Sequence, residues 1–562
     1  MSRLLLALVP LLLTTQTAVQ TSVPGTVEGR VTNAVTGEPI SGATVHLYAM
    51  NGRGASPVEP QTGSSQSDGV FHFDSVPEGS YFVVAQASGF SSGRGYGPRQ
   101  RITISSGQQL TGVLIQLSPQ GSISGKVFVE EGKPVAHARV QAYSTYTNRG
   151  KLQLRRNRST TTNEAGEYTL NKLDSGRYFV SAEYETGGKE KEPAESLSGA
   201  EGDAPVLVRT FFPKSLDYES ATPIQASAGQ DTGDINIQLR RTATYQVTGK
   251  VAEWNAVGLQ KGATVMLSPQ NTLDSDVLGQ KARMNGDGTF EFQRVLPGSY
   301  TLWLTGRYDE SGPANHGRAT RLLGKQQIEV AASDVSGIVL GLTPPINLTG
   351  RVTEENVNPQ LLGNLRVTLA PGGEVAFGMF QSAAVAADGS LSIQNLMPGT
   401  YFVHVMNTLP GVYVKEVSFN RHDIAITGMD LSQGGGGEIE IVLSTGAGEV
   451  DGTLEAGSLV GSSSLTMIVL VPENLPEDGS GVLLSSAPNG TFAFRNVPPG
   501  RYYAFAAERW TSLWQNADFL REMRRVSTAV DLEANGRVQV QVPVLPAEDI
   551  GNTAERLGLN FQ

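Results

Sequence analysis

The sequence predicts an all-β protein built from five tandem β-sandwich domains in an elongated array. Only 17% of its 562 residues are charged, and glycine and proline number 65 and 29, a composition typical of chains with many tight turns. One motif of 14 residues occurs five times. The segments around each copy alternate apolar and polar residues, as half-buried strands do.

The motif contains two glycines ten residues apart and a tyrosine two residues after the second. Its copies read DGVFHFDSVPEGSY, AGEYTLNKLDSGRY, DGTFEFQRVLPGSY, DGSLSIQNLMPGTY and NGTFAFRNVPPGRY. The copies begin 97, 122, 101 and 101 residues apart, a spacing that fits one small domain per copy. The shared residues are Gly69, Gly79, Tyr81, Gly166, Gly176, Tyr178, Gly288, Gly298, Tyr300, Gly389, Gly399, Tyr401, Gly490, Gly500 and Tyr502.

The residue types in the motif indicate a strand, a turn and a second strand. The first glycine allows the positive φ of a tight turn. In the third copy, Phe290 and Phe292 alternate with Glu291, which predicts a strand with one buried face. We expect the tyrosine to form a tyrosine corner, with its ring in the core and its hydroxyl bonded to nearby backbone.

Recurring strands around the motif set the predicted domain boundaries. Each domain opens with an apolar segment such as Val27-Glu-Gly-Arg-Val31, whose glycine indicates a bulge or a close contact. Short linkers such as Thr343-Pro344-Pro345 predict stiff joints and hence the elongated array. The predicted domains are residues 26–118, 121–240 with two loop insertions, 243–343, 346–444 and 447–546 with a short helix, followed by a C-terminal tail at 547–562.

The N-terminus predicts an export signal over residues 1–22. Arg3 precedes an apolar run from Leu4 to Leu13, which is shorter than the roughly 20 residues that a membrane-spanning helix needs. A buried N-terminal strand is the alternative. We therefore expect a periplasmic, outer-membrane-associated or secreted protein with no transmembrane segment in the mature chain.

Composition excludes some kinds of site and some classes of partner. The absence of cysteine excludes disulfides, thiolate metal sites and cysteine nucleophiles. The net charge of −11 argues against a nucleic-acid partner, because binding phosphates requires a basic surface. No cofactor is expected, and the partner class left open is a polysaccharide or a cell-envelope or protein surface.

The phrases Gly-Arg-Val…Pro-Ile-Ser-Gly-Ala-Thr-Val and Asp-Gly-x-Phe-x-Phe…Gly-x-Tyr resemble the carboxypeptidase regulatory-like domain, and the chain resembles large exported bacterial proteins built from tandem copies. The resemblance implies a transthyretin-like, immunoglobulin-like sandwich related to the carbohydrate-binding-like and Cna-B-type families. It implies folding and binding, with carbohydrate as a ligand class, and no catalysis. Lys126 and Lys250 are candidates for a Cna-B-type isopeptide bond beside an acid such as Glu183, with surface lysines as the favoured alternative.

No catalytic or metal-binding residue is predicted. Gly89-Phe-Ser91-Ser-Gly93 matches the serine-hydrolase elbow, but that elbow requires a following helix, and Arg94-Gly-Tyr-Gly-Pro98 predicts a loop. None of the six histidines begins a His-x-x-Glu ligand pair.

Two segments are candidates for binding. Trp510 and Trp514 could stack on a sugar ring, although packing of a short helix, Trp514 to Val526, on its own sheet is the favoured interpretation. The basic segment Thr145 to Thr162 could attract an anionic polymer or form a solvated hairpin.

These observations favour an exported, non-catalytic binding or scaffold protein, with carbohydrate as a possible ligand. A structural spacer or adhesion stalk is the alternative, and a hydrolase is less favoured.

Overall fold

The strands of the chain pair into two-layered sandwiches, and each sandwich has an apolar core of its own. The computed structural model describes residues 23–49, 59–91, 100–148, 151–184, 205–254, 263–270, 278–309, 318–343, 346–355, 362, 364–372, 381–455, 466–487, 490–507 and 512–559. The predicted export signal lies outside these residues. The chain divides into two compact units, Met1–Leu117 and Ser118–Gln562, which hold one sandwich and four sandwiches respectively.

The first sandwich shows the plan that the others follow. Its first sheet has the order β4-β1-β7, with β1 antiparallel to β4 and parallel to β7, and its second sheet has the order β3-β2-β5-β6. The motif supplies β4 to one sheet and β5 to the other, so its second turn crosses between the layers. The strands are β1 (Gly25–Asn33), β2 (Thr44–Ala49), β3 (Gln61–Ser64), β4 (Val70–Val76), β5 (Gly79–Gln86), β6 (Gln100–Ile104) and β7 (Gln109–Leu117).

The second sandwich repeats this plan with a long hairpin added. Strands β11, β8 and β16 form its first sheet, and β10, β9, β12 and β14 form its second. Its strands are β8 (Gly121–Phe128), β9 (Arg139–Asn148), β10 (Lys151–Thr161), β11 (Glu167–Leu173), β12 (Gly176–Glu183), β13 (Val206–Leu207), β14 (Thr210–Phe211), β15 (Ile224–Ala226), β16 (Asp231–Thr232), β17 (Ile237–Gln238) and β18 (Arg241–Thr242).

The third sandwich pairs the sheets β22-β23-β19-β26 and β21-β20-β24-β25. Its strands are β19 (Tyr245–Val251), β20 (Thr264–Pro269), β21 (Gln280–Lys281), β22 (Arg283–Met284), β23 (Thr289–Val295), β24 (Gly298–Asp309), β25 (Arg318–Val330) and β26 (Val335–Leu340).

The fourth sandwich pairs the sheets β30-β27-β35-β32-β33 and β29-β28-β31-β34. Its strands are β27 (Ile346–Glu355), β28 (Arg366–Gly372), β29 (Gln381–Ala384), β30 (Ser390–Leu396), β31 (Thr400–Met406), β32 (Val412–Phe419), β33 (His422–Asp423), β34 (Met429–Asp430) and β35 (Glu438–Thr445).

The fifth sandwich adds helices to the plan, with sheets β39-β36-β42 and β38-β37-β40-β41. Its strands are β36 (Gly448–Leu454), β37 (Met467–Pro472), β38 (Leu483–Ser486), β39 (Thr491–Val497), β40 (Gly500–Ala507), β41 (Thr528–Leu532), β42 (Arg537–Val542) and β43 (Val544–Leu545). The predicted short helix is present as α1 (Ala517–Met523), which lies between the 3-10 turns Ser512–Gln515 and Arg524–Val526.

One boundary expectation needs correction. The segment 547–562, predicted as a tail, contains the helix α2 (Ala547–Arg556). Its buried Ile550 and Ala554 pack in a cluster with Phe519 of α1. The helix forms part of the fifth domain because burying this apolar stripe is more favourable than leaving it in water.

The cores confirm the all-β tandem fold. Each sandwich has a separate cluster in which both sheets meet, shown in the first by Val27, Phe71 and Val83. The other four clusters contain the corresponding motif aromatic or aliphatic residue: Tyr168, Phe290, Leu391 and Phe492.

Candidate interaction surface

The residues that the five copies of the motif share stabilise the fold. The second glycines have φ between 150° and 159°, a region that residues with a Cβ rarely occupy. Each tyrosine ring is buried, and each hydroxyl donates a hydrogen bond to the carbonyl four residues earlier, which is the arrangement of a tyrosine corner. These O–O distances are 2.9 Å for Tyr81 to Pro77, 2.9 Å for Tyr178 to Asp174, 2.8 Å for Tyr300 to Leu296, 2.8 Å for Tyr401 to Met397 and 2.7 Å for Tyr502 to Pro498.

The second sheet of each sandwich has one side that points away from its own core, which we call the outer face. It carries the residues one and three positions after the motif tyrosine, together with their cross-strand partners. In sandwich order these partners pair as Tyr48–Phe82 and His46–Val84, Tyr143–Phe179 and Gln141–Ser181, Ser268–Thr301 and Met266–Trp303, Ala370–Phe402 and Thr368–His404, and Val471–Tyr503 and Val469–Phe505. Most of these side chains are apolar or aromatic, although alternation alone would place polar residues there.

The outer face of the second sandwich contacts the third sandwich. Tyr143 and Phe211 lie in a small cluster with the hairpin residue Leu154, and Leu278 of the third sandwich packs against it. The rings of Tyr143 and Phe211 lie 5.9 Å apart, within the range of favourable aromatic pairs.

The outer face of the third sandwich contacts the fourth. Met266 and Trp303 are 5% and 2% exposed, and Met397 of the fourth sandwich packs against them. The Lys325 ammonium lies 4.7 Å from the Trp303 ring centroid, close enough for a cation–π interaction.

The outer face of the fourth sandwich contacts the fifth through polar groups. The His404 Nε2 atom lies 3.4 Å from the Oδ2 atom of Asp478, whose side chain is 3% exposed. The Ser480 N–H donates to the same carboxylate at 2.9 Å. Burial acts to raise the pKa of Asp478, but the hydrogen bonds and the charge of His404 outweigh it and hold that pKa below its usual value.

The outer face of the fifth sandwich is covered from two directions. The first cover is the helical segment of the same sandwich, in which Tyr503 donates a hydrogen bond to the Leu520 carbonyl at 2.9 Å. The second cover is Leu152, on the β9–β10 hairpin of the second sandwich, which packs against the cluster that contains Phe505. The second unit is therefore not a simple row, because its first and last sandwiches are in contact.

The outer face of the first sandwich carries the same kind of side chain. Tyr48 is 41% exposed. Its ring lies 5.7 Å from that of His46, whose Nδ1 atom is 3.1 Å from the Thr62 hydroxyl.

The structure does not bring the predicted sugar-binding tryptophans to a surface. Trp514 is 1% exposed, and its indole contacts the rings of Phe505 and Phe519, with centroids 5.5 Å and 5.8 Å away. A buried ring offers no free face to a sugar, so packing of the helix on its own sheet is what the structure shows. Trp510 lies outside the described residues.

The predicted basic segment forms a partly buried hairpin. Leu154 is fully buried and Leu152 contacts the fifth sandwich, because both project from the outer side of the sheet. The Arg155 guanidinium lies 5.4 Å from the Tyr146 ring centroid, and the Arg158 Nε–H donates to the Lys172 carbonyl at 3.1 Å. Arg149 lies outside the described residues, as does the acidic insertion from Glu185 to Asp203.

Two of the candidate isopeptide residues, Lys126 and Glu183, have other partners. Lys126 lies 3.0 Å from Glu167, with both side chains about half exposed, and Glu183 instead binds Arg209 at 2.7 Å. Both lysine and acid therefore have ordinary ion-pair partners. Among the residues that the structure describes, no group of three His, Asp or Glu side chains could hold a metal ion.

Sequence reasoning missed the outer faces, although the sequence contains a signal for them. The strands after the motif tyrosine read YFVVA, YFVSA, YTLWL, YFVHV and YYAFA. Such nearly continuous apolar runs are typical of strands that are buried on both sides. No helix in the described part of the chain is long and apolar enough to cross a membrane.

Comparison with known families finds a match for the first two sandwiches. Residues 26–118 and 122–240 match the family model of the carboxypeptidase regulatory-like domain. No curated protein sequence matches the chain.

Several solved structures are similar to parts of the chain. The minor pilin GBS52 of Streptococcus agalactiae is 12% identical, with 39% of this chain and 97% of that chain covered and a TM-score of 0.23. The major pilin BcpA of Bacillus cereus is 10% identical, with 57% and 99% covered and a TM-score of 0.16. A protein of Pseudomonas aeruginosa to which carbohydrate binding has been attributed is 16% identical, with 18% and 92% covered and a TM-score of 0.13.

Proposed function

We propose that this protein is an exported, non-catalytic scaffold that works by binding through the surfaces of its sandwiches. The match of residues 26–118 and 122–240 to the family model of the carboxypeptidase regulatory-like domain supports this proposal. The observation that carries the proposal is the series of outer faces. Each bears side chains suited to contact, and in the second unit each one contacts another sandwich.

The use of the repeated residues supports a binding role over a catalytic one. The motif glycines have backbone conformations that residues with a Cβ rarely adopt. The hydroxyls of the motif tyrosines donate hydrogen bonds to backbone carbonyls. A hydroxyl engaged in this way is a structural group rather than a free nucleophile.

A spacer or stalk is the alternative scaffold. A spacer works through its length, which requires domains that meet only their neighbours in the row. The contact of Leu152 with the fifth sandwich joins sandwiches that are not neighbours in the sequence and so argues against a spacer.

Export and binding are tested together on the full-length protein with a C-terminal tag. We expect it outside the cytoplasm, shortened by about 20 residues at its N-terminus, and retained on isolated cell envelopes. A carbohydrate ligand, which the family resemblance implies, is tested by applying the same preparation to a glycan array.

Two results would contradict the proposal. One is an intact N-terminus on protein that stays in the cytoplasm. The other is turnover of an ester, peptide or glycoside substrate that disappears in the Ser91→Ala variant, since this would restore the hydrolase hypothesis.

A further inference from the structure

The contact between the β9–β10 hairpin and the fifth sandwich differs from the other contacts described within the second unit. Leu278, Met397 and Asp478 each reach the outer face of the sandwich that precedes their own in the chain. Leu152 instead reaches from the second sandwich to the fifth, past the two that lie between them in the sequence. The hairpin can therefore lift from the fifth sandwich while sequence neighbours stay in contact with each other.

Two side chains project from the side of the hairpin that meets the fifth sandwich. Thr147 on β9 lies directly opposite Leu152 on β10 in the strand register, and such cross-strand partners project from the same side of a sheet. Leu152 packs against the cluster that contains Trp514, and β9 contacts the 3-10 turn Ser512–Gln515. Thr147 is 3% exposed, so its side chain is buried where the hairpin meets the fifth sandwich.

Both partners in this contact bury a polar atom that lacks a hydrogen bond. Among the described residues, neither the Thr147 Oγ1 atom nor the Trp514 Nε1 atom has a hydrogen-bond partner. Thr162, which is also buried in the second sandwich, shows the usual arrangement. Its hydroxyl accepts from the Ala138 N–H at 2.8 Å and donates to the Val135 carbonyl at 2.7 Å.

These unpaired atoms weaken the closed contact. A polar group that is buried without a partner has given up its hydrogen bonds to water, and it regains them when it is exposed. Lifting the hairpin returns the Thr147 hydroxyl to water, which offsets part of the free energy lost when Leu152 leaves its apolar cluster. The contact is therefore less stable than its apolar side chains alone would make it.

We propose that the β9–β10 hairpin is a reversible clasp, which lifts from the fifth sandwich and reseats while the four sandwiches of the second unit stay folded. Thr147 and Leu152 belong to neither of the clusters in which the sheets of the second and fifth sandwiches meet, so lifting them breaks no core contact there. The lifted state exposes Leu152 and removes one of the two covers from the outer face of the fifth sandwich. The clasp thereby controls whether these surfaces are accessible to a binding partner.

Thr147→Val tests whether the unpaired hydroxyl favours the lifted state. Valine has nearly the shape of threonine and no group that needs a hydrogen bond, so the closed contact should become more stable. We expect hydrogen exchange in Ser512–Gln515, measured by mass spectrometry on the native full chain, to slow about 10-fold. Thr161→Val is the matched control, because Thr161 is exposed on β10 of the same hairpin, and it should leave this exchange unchanged.

Thiol labelling supplies a second measurement that detects the lifting itself. The chain has no cysteine, so Thr147→Cys introduces a single thiol that reacts only when the hairpin lifts. We expect it to react more slowly than the exposed thiol of Thr161→Cys, at a rate that low urea concentrations barely change, because lifting exposes little surface. Val180→Cys is the reference for unfolding, because Val180 is fully buried in the core of the second sandwich, and its labelling should rise steeply with urea.

Three results would overturn the inference. Labelling of Thr147→Cys with the same urea dependence as Val180→Cys would show that the hairpin lifts only when its sandwich unfolds. Labelling as fast as that of Thr161→Cys would show that the hairpin is not seated. Exchange in Ser512–Gln515 that is unchanged or faster in Thr147→Val would show that the hydroxyl does not oppose the closed contact. All three concern the hairpin alone, so they are distinct from a failure of the proposed export or of the non-catalytic role.

Discussion

At the scale of single residues, the tyrosine corners allow a direct test of what the motif contributes. Replacing Tyr300 by Phe removes the 2.8 Å hydrogen bond to the Leu296 carbonyl and keeps the buried ring. We expect the free energy of unfolding to fall by about 1 kcal/mol, measured by urea denaturation. Tyr48→Phe is the control, because the Tyr48 hydroxyl makes no hydrogen bond within the described residues, and an equal loss in both variants would contradict this role.

The same tyrosines make the fold sensitive to alkali. Burial raises the pKa of Tyr300 and of Tyr502 to about 12, above the value of about 10 in an unfolded chain. A raised pKa means that the stabilisation is complete below pH 10 and is lost as the pH rises towards 12. We expect tyrosine ionisation, followed by absorbance at 295 nm, to coincide with unfolding in this range. Exposed tyrosines such as Tyr48 ionise earlier, so the contrary result is ionisation of every tyrosine near pH 10 without any loss of structure, which would show that the buried rings are accessible.

One feature of the motif, a residue with a left-handed backbone before its second turn, could not be predicted from the sequence. Ser75, Lys172, Arg294 and Asn496 occupy the same motif position, and each has φ between 57° and 59°. The strand pairing shifts there, as at a β-bulge that sets two residues opposite one. The four side chains share no chemistry that favours a left-handed backbone, so the pattern of residue types does not reveal the bulge. The geometry of the two paired strands imposes it.

At the scale of elements, the glycine of each opening strand predicts a bulge or a close contact, and the structure shows the close contact. A Cβ atom on Gly249 would lie 2.5 Å from the ζ carbon of Phe290 and 2.6 Å from the Ile338 carbonyl oxygen. We expect Gly249→Ala to lower the free energy of unfolding by about 2 kcal/mol, a typical cost of overpacking. Gly286→Ala is the control because a Cβ there meets nothing within 4 Å, and similar melting temperatures for the two variants would contradict this account.

The elements that sequence reasoning placed well are those whose pattern is local. The strand–turn–strand motif and the helix around Phe519 follow from alternation and from helical spacing, and both are present. The β9–β10 hairpin was located correctly but its surroundings were not, because its contact with the fifth sandwich joins residues more than 300 positions apart. The burial of Trp514 depends in the same way on packing between elements, which spacing alone does not specify.

At the scale of the whole molecule, the second unit has an acid-sensitive contact between its fourth and fifth sandwiches. The pKa of Asp478 is held below its usual value, so the stabilisation from this carboxylate is present above pH 4 and is lost as the pH falls below that value. We expect Asp478→Asn to lower stability at pH 7 and to flatten the loss of stability in acid. Asp531→Asn is the control, because Asp531 is exposed on β41, and it should leave the acid dependence of stability unchanged. If Asp478→Asn has the same acid dependence as the unaltered protein, this contact does not contribute to stability.

The contact of Leu152 with the fifth sandwich makes a prediction about cooperativity. If it links the second and fifth sandwiches, then Leu152→Asp places a charge against the apolar cluster around Phe505, and burying an unpaired charge costs several kcal/mol. Opening this contact leaves every sandwich core intact, because Leu152 belongs to none of them. We expect calorimetry to show the unfolding of the second unit separating into more than one transition, with hydrogen exchange rising in β10 and in Ser512–Gln515 and unchanged in the core strands. Val339→Asp is the control, because the Val339 side chain is 50% exposed in the third sandwich, and it should keep the original transition. An unchanged thermogram for Leu152→Asp would mean that this contact does not couple the unfolding of the four sandwiches.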